Sequence, residues 1–227
     1  MENMTGNEAI ALYEKGAYRE AIARFKEAGE KGDALALYYL GECHYYGRGT
    51  AKNLKTAAKF YYTAAKAGNA NGQFRLGCCF DYGDGVPRDP LKAAKWYKKA
   101  AMQEHAEAQF MLGYCYELGN GVSLDEKEAV RWYARAAKAG HAAAQYNLGD
   151  CYFYGNGVPA NPAEAVKWYR KSAEQNNADA LFGLGFCLCS GSGVEKDAAR
   201  GMEYIERAAD LGCEDAIDYL SGSSDEE

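Results

Sequence analysis

Residues 144–173 read AQYNLGDCYFYGNGVPANPAEAVKWYRKSA, and this stretch decides the fold because its pattern recurs along the chain. Each copy predicts a helix, a Gly-x-Gly turn and a second helix. The Leu-Gly dipeptide returns every 36 residues without an insertion, at Leu40-Gly41, Leu76-Gly77, Leu112-Gly113, Leu148-Gly149 and Leu184-Gly185. A fixed period of this length is the signature of stacked repeats. We therefore expect an all-α fold, a right-handed α-α superhelix (solenoid) of antiparallel helix pairs.

Other positions of the repeat support this interpretation. A side chain able to cap a helix precedes each second helix, at Asn53, Asp89, Asp125, Asn161 and Asp197. Residues that accept a left-handed backbone stand where most second helices must end, at Gly68, Gly140, Asn176 and Gly212, with Glu104 as the exception. The pattern predicts a capped helical hairpin in every unit.

The same period predicts the domain organisation. Residues 1–32 form a shorter helical hairpin that caps the entry, and residues 33–212 hold five units of 36 residues. Residues 213–220 repeat only the start of a first helix, which is typical of a terminal capping half-repeat. Residues 221–227 are serine, glycine and acid, and we expect a disordered tail there.

Composition narrows the function classes. The formal net charge of −6 argues against a nucleic-acid partner, which normally requires a basic face. No signal-peptide core and no run of 18 apolar residues occurs, so we expect a cytoplasmic protein without integral membrane association. Five of the eight cysteines follow the repeat period, which favours small core residues in a reducing compartment over disulfides or zinc ligands. We expect no metal and no cofactor.

No catalytic constellation is found. The Gly-x-Gly motif follows a helix, lacks the Lys-Ser/Thr pair of a phosphate-binding loop and occurs in every unit, so turn geometry explains it. His105 and His141 share one repeat position just before a first helix, which favours turn residues over metal ligands. The sequence gives no reason to expect an enzyme.

The unit resembles the Sel-1-like repeat, a branch of the tetratricopeptide-repeat superfamily. The fourth unit carries the resemblance at Ala144, Leu148, Gly149, Tyr152, Gly155, Gly157, Val158, Asn161, Ala165, Trp168, Tyr169 and Ala173. This resemblance implies a non-catalytic adaptor or scaffold that binds a protein or peptide on the concave face lined by the first helices. Two alternatives stay open: a weak hydrolase or β-lactam-binding protein like the family's cysteine-rich branch, and an effector delivered into a host cell.

Comparing the units separates repeated positions from variable ones. On the first helices, variable side chains at spacings of three and four form one stripe. We name these fourteen residues the first-helix stripe and predict that they bind the partner: Tyr39, Glu42, Tyr45, Tyr46, Arg75, Asp81, Tyr82, Met111, Tyr114, Glu117, Asn147, Asp150, Phe153 and Tyr154. The alternative is that the tyrosines pack laterally between repeats, Tyr46, Tyr82 and Tyr154 above all. The acids of the stripe suggest a preference for basic or neutral segments.

Overall fold

The computed structural model describes residues 4–222, and within them every regular element is an α-helix. The entry hairpin comprises α1 (Met4–Glu14) and α2 (Tyr18–Glu30). The first helices of the five repeats are α3 (Ala34–Tyr46), α5 (Ala70–Tyr82), α7 (Ala106–Leu118), α9 (Ala142–Tyr154) and α11 (Ala178–Ser190). The second helices are α4 (Leu54–Lys66), α6 (Pro90–Ala101), α8 (Glu126–Lys138), α10 (Pro162–Ala173) and α12 (Ala198–Asp210), and α13 (Glu214–Gly222) follows. The expected all-α solenoid fold is confirmed.

The chain divides into two compact units. The first takes the described residues up to Cys115 together with Gly119–Ser123, and the second takes Tyr116–Leu118 together with the described residues from Leu124 onward. The helix α13 extends through Gly222, two residues beyond the predicted half-repeat. The rest of the predicted tail, residues 223–227, lies outside the described residues.

The helix ends follow the caps that the sequence predicts. The side chains of Asn53, Asp89, Asp125, Asn161 and Asp197 each accept a hydrogen bond from the backbone N–H three residues later. His105 and His141 cap first helices in the same way, through Nδ1. Glu104 adopts the left-handed conformation at φ 62°, although it is neither glycine nor asparagine.

The second glycine of each Gly-x-Gly motif is required by space as well as by backbone conformation. Gly85 has φ 74°, and a Cβ there would lie 2.2 Å from the carbonyl oxygen of Leu54. Gly193 has φ 70°, and its Cβ would lie 2.3 Å from the carbonyl carbon of Pro162. The turn of one repeat therefore packs directly against the first turn of the preceding second helix.

The Leu-Gly dipeptide is explained by a tyrosine on the second helix. A Cβ on Gly41, Gly77 or Gly149 would lie 2.4–2.6 Å from a ring carbon of Tyr61, Tyr97 or Tyr169 respectively. These tyrosines are at most 2% exposed, and the cysteines on the repeat period are also buried, at Cys43, Cys79, Cys115, Cys151 and Cys187. All eight cysteines are free thiols, so the prediction that the periodic ones fill the core is confirmed.

Candidate functional site

The first-helix stripe is partly exposed along α3, α5, α7 and α9. Four of its tyrosines are exposed, Tyr46 (50%), Tyr82 (68%), Tyr114 (40%) and Tyr154 (68%), and the other ten members are half-buried. Leu118 occupies the repeat position of Tyr46, Tyr82 and Tyr154 and is 55% exposed. Tyr46, Tyr82 and Tyr154 each stand at the last residue of a first helix and are exposed there, and Tyr46 also contacts Arg75 of the next repeat.

Other aromatic members of the stripe do pack laterally. The ring of Tyr39 stacks on Phe25 at a centroid distance of 5.0 Å and meets the ring of Tyr13 at 5.1 Å. The hydroxyl of Tyr45 donates a hydrogen bond to Asp84 Oδ2 at 2.7 Å. Tyr39 and Tyr45 therefore have a packing role in the first unit.

Each acid of the stripe accepts a hydrogen bond from a buried tyrosine of the same repeat. The hydroxyl-to-carboxylate distances are 2.5 Å for Tyr61–Glu42, 3.2 Å for Tyr97–Asp81, 2.7 Å for Tyr133–Glu117 and 2.6 Å for Tyr169–Asp150. Burial is the largest cause of the raised pKa of all four tyrosines, so each stays a neutral donor. The acids that the sequence analysis assigned to charge attraction therefore also serve as hydrogen-bond acceptors.

The accepting acid occupies one of two positions that lie one helical turn apart. Glu42 and Asp150 occupy the first position, and Asp81 and Glu117 occupy the position three residues later in the repeat. In the fifth repeat the tyrosine is replaced by Ile205, and neither position is acidic. This pairing was not among the predictions from the sequence, although the second-helix tyrosine and an acid at one of these two positions occur together in each of the first four repeats.

The second repeat places a cation, Arg75, beside Glu42 of the first repeat. Arg75 Nε donates to Glu42 Oε1 at 2.7 Å, and the two side chains are only 18% and 12% exposed. The Arg75 guanidinium also donates to the Tyr46 hydroxyl at 3.1 Å and lies 4.6 Å from the ring centroid of Tyr45. Stripe residues Glu42, Tyr45, Tyr46 and Arg75 thus form one cluster, which we call the Arg75 cluster.

The second unit contains a small open cavity around Asp150, which we call the Asp150 pocket. It has a volume of about 150 Å³, and its lining residues are Tyr146, Asp150, Phe153, Tyr154, Tyr169, Asp179, Phe182, Gly183, Phe186 and Asp215. Asp150 accepts hydrogen bonds from Tyr169 and Tyr146, yet burial keeps its pKa above the usual range. No lysine or arginine is among the lining residues.

Seven of the ten lining residues do not belong to the first-helix stripe. Gly183 and Phe186 occupy stripe positions in the fifth repeat, whereas the predicted stripe ends in the fourth. The other five lie at positions that the stripe does not include: Tyr146 on α9, Tyr169 on α10, Asp179 and Phe182 on α11, and Asp215 on α13. Extending the comparison by one repeat would have included Gly183 and Phe186.

The second helices present cations stacked on aromatic rings. Lys99 lies 4.2 Å from the Trp96 ring centroid, and Lys171 lies 4.2 Å from that of Trp168. Arg135 lies 4.4 Å from the centroid of Trp132. Such contacts give these cations a local structural role.

The described part of the chain contains neither a candidate metal site nor a helix that could span a membrane. Residues 4–222 contain no group of three or more potential metal ligands. Over the same residues, no helix has the length and apolar character needed to cross a membrane.

Comparison with known proteins gives one family and several structures. The family model described as Sel1 repeat matches residues 34–69, 70–105, 106–141, 142–177 and 178–213. A Sel1 repeat protein from Oxalobacter formigenes is 34% identical, with a TM-score of 0.90 over 96% of this chain and 87% of that chain. No match was found among curated proteins.

Two further structures extend the comparison. The uropathogenic Escherichia coli protective antigen c5321, which displays an SLR fold, is 30% identical with a TM-score of 0.89. The alignment covers 99% of this chain but 49% of c5321, so the chain spans about half the length of that antigen. Immunity protein Pa5087 from Pseudomonas aeruginosa, at 20% identity and a TM-score of 0.56 over 91% of this chain and 83% of that chain, shares the fold alone.

Proposed function

The chain belongs to the Sel1-repeat family, whose fold commonly mediates protein interactions, and from this premise we propose that it is a non-catalytic scaffold that binds a protein or peptide through its first-helix stripe. The family's concave face is the surface that we assign to the partner. In this proposal the partner is not a nucleic acid, and the protein is located in the cytoplasm.

One observation carries this proposal. A single repeat position holds Tyr46, Tyr82, Leu118 and Tyr154 in four consecutive repeats, and each of these side chains is 50–68% exposed. Burial in the core does not explain why large side chains recur at one exposed position. Tyrosine is also enriched among the residues that dominate binding energy at interfaces. A partner that covers this position explains why it stays large and apolar.

The test compares two variants in affinity capture. Tyr46, Tyr82 and Tyr154 are replaced by alanine in the first, and the control carries Tyr62→Ala and Met102→Ala, which remove exposed side chains outside the stripe. We expect partners captured by the wild type and the control to be lost by the first variant. Capture of the same partners by all three proteins would place recognition elsewhere.

The cysteine-rich alternative receives no support from the thiols. The resemblance implies two cysteines per unit, joined between adjacent helices, for that branch. In this chain one buried cysteine recurs per repeat and all eight are free. We therefore retain the scaffold as the proposed function.

A further inference from the structure

The Arg75 cluster and the Asp150 pocket occupy equivalent places in the repeat. Three periods of 36 residues separate them, so residue numbers differ by 3 × 36 = 108. The equivalent pairs are Tyr38 and Tyr146, Glu42 and Asp150, Tyr45 and Phe153, Tyr46 and Tyr154, Tyr61 and Tyr169, Phe74 and Phe182, and Arg75 and Gly183. The aromatic walls and the acid are kept, and the arginine is replaced by glycine.

The Arg75 cluster shows what such walls hold. Its guanidinium makes an ion pair with Glu42, donates to the Tyr46 hydroxyl and lies within 4.6–5.6 Å of the ring centroids of Tyr45, Tyr46 and Tyr61. A guanidinium suits this setting because it is planar, weakly hydrated and able to stack on aromatic rings while it donates to a carboxylate. The chain therefore contains its own example of an arginine bound by this constellation.

The Asp150 pocket has the volume and the negative charge needed to bind a guanidinium. Its volume of about 150 Å³ compares with roughly 30 Å³ for one water molecule, so it has space for a planar head group of four heavy atoms. Asp179 and Asp215 add two carboxylates to the lining. Asp150 already accepts from Tyr169 and Tyr146, but a carboxylate has about four acceptor sites and can still bind a guanidinium.

We propose that the Asp150 pocket receives the arginine side chain of a partner protein or peptide. The guanidinium occupies the place that Arg75 fills in the first repeat, paired with Asp150 and enclosed by Phe153, Tyr154 and Tyr169. This inference deepens the proposed function, on which it rests, by naming the side chain that the stripe recognises.

The test uses short acetylated peptides that carry one central arginine, lysine or citrulline between glycines. Binding to the full chain is followed by NMR chemical-shift changes, since a single side chain is expected to bind in the millimolar range. We expect the arginine peptide to perturb residues around Gly183 and to bind at least tenfold more tightly than the citrulline peptide, which has the same shape without the charge. Equal binding of citrulline or lysine would overturn the assignment to a guanidinium.

Three variants locate the site. Gly183→Arg should abolish binding, because its own side chain then fills the pocket as Arg75 does. Gly183→Ala is the matched control and should keep binding, since the three heavy atoms nearest to a Cβ there belong to the Tyr169 ring, at 3.3–3.4 Å. Asp150→Asn should weaken binding at least tenfold. Unchanged binding by Gly183→Arg or Asp150→Asn would overturn the proposal.

A reciprocal variant supplies an independent check. Arg75→Gly empties the equivalent place in the first repeat, so the arginine peptide should gain a second binding site that perturbs residues around Glu42. Binding at neither place would refute the pocket assignment. The proposed function has its own test: it fails if the variant with alanine at Tyr46, Tyr82 and Tyr154 still captures the partners.

Discussion

Replacing Glu42 with glutamine should destabilise the protein by about 2 kcal/mol, whereas Asp150→Asn should change its stability by less than about 1 kcal/mol. The two acids occupy the same repeat position, and each accepts a hydrogen bond from a buried tyrosine, Tyr61 or Tyr169. They differ in their cation. Glu42 is paired with Arg75, while no lysine or arginine lines the Asp150 pocket.

The magnitude follows from the burial of the pair. Removing one partner of a fully buried ion pair costs about 3–5 kcal/mol, whereas exposed pairs contribute about 0.2–1 kcal/mol. The side chains of Glu42 and Arg75 keep 12% and 18% of their exposure, so the expected cost lies between these limits. At position 150, asparagine keeps a carbonyl acceptor for the tyrosine hydroxyl and leaves no cation unpaired.

Urea unfolding followed by far-ultraviolet circular dichroism measures both changes, and a double-mutant cycle isolates the pair. Arg75→Met removes the cation, and the combined Glu42→Gln and Arg75→Met variant should recover about 1–2 kcal/mol of the summed losses. Strictly additive losses, or a loss at Asp150→Asn as large as at Glu42→Gln, would refute the reasoning.

Four further predictions follow from the same contacts. Burial raises the pKa of Asp150, and the nearby acids Glu117 and Asp179 add to this, so the charged carboxylate destabilises the folded state. Any stability that Asp150→Asn gains at neutral pH should therefore shrink as the pH falls through the raised pKa and vanish below 3.8, the usual value. Urea unfolding at a series of pH values measures this change. Gly149→Ala should cost about 1–3 kcal/mol in the same assay, because its Cβ would lie 2.6 Å from the Tyr169 ring, and an unchanged midpoint would contradict this. Burial raises the pKa of Cys43 and Cys187 to about 11 and that of Cys79, Cys115 and Cys151 to about 12. These five thiols should therefore react with Ellman's reagent only when the protein unfolds, and reaction of all eight cysteines in the native state would contradict this. Nitrocefin should not be turned over, and turnover lost on mutation of one side chain would favour the hydrolase alternative.

The fold was predictable from the sequence because its signals are local. Caps such as Asn53 and left-handed glycines such as Gly68 act within one turn of their own position, and an unbroken period repeats them in register. Glu104 shows the limit of local signals. It adopts a positive φ that its side chain does not favour, since the repeat requires the same chain reversal that Gly68 and Gly140 make elsewhere.

The site was predictable only as a set of positions. Variable residues on first helices were identified correctly as partly exposed, but their partners lie across the hairpin, 19 residues from Glu42 and 16 residues from Asp81. No helical periodicity relates positions on two different helices. Tyr46 is half exposed and at the same time accepts a hydrogen bond from Arg75 of the next repeat, a combination that its place beside the turn does not predict.

The paired tyrosines and acids change how the charge of the stripe is understood. A hydroxyl buried at Tyr61, Tyr97, Tyr133 or Tyr169 needs an acceptor, so each repeat that has the tyrosine supplies one carboxylate for it. Those four acids therefore have a structural reason to be present, and their number alone says nothing about a basic partner. Specificity must arise where equivalent repeats differ, and the exchange of Arg75 for Gly183 is such a difference: beside similar aromatic walls, one acid has its cation and the other does not.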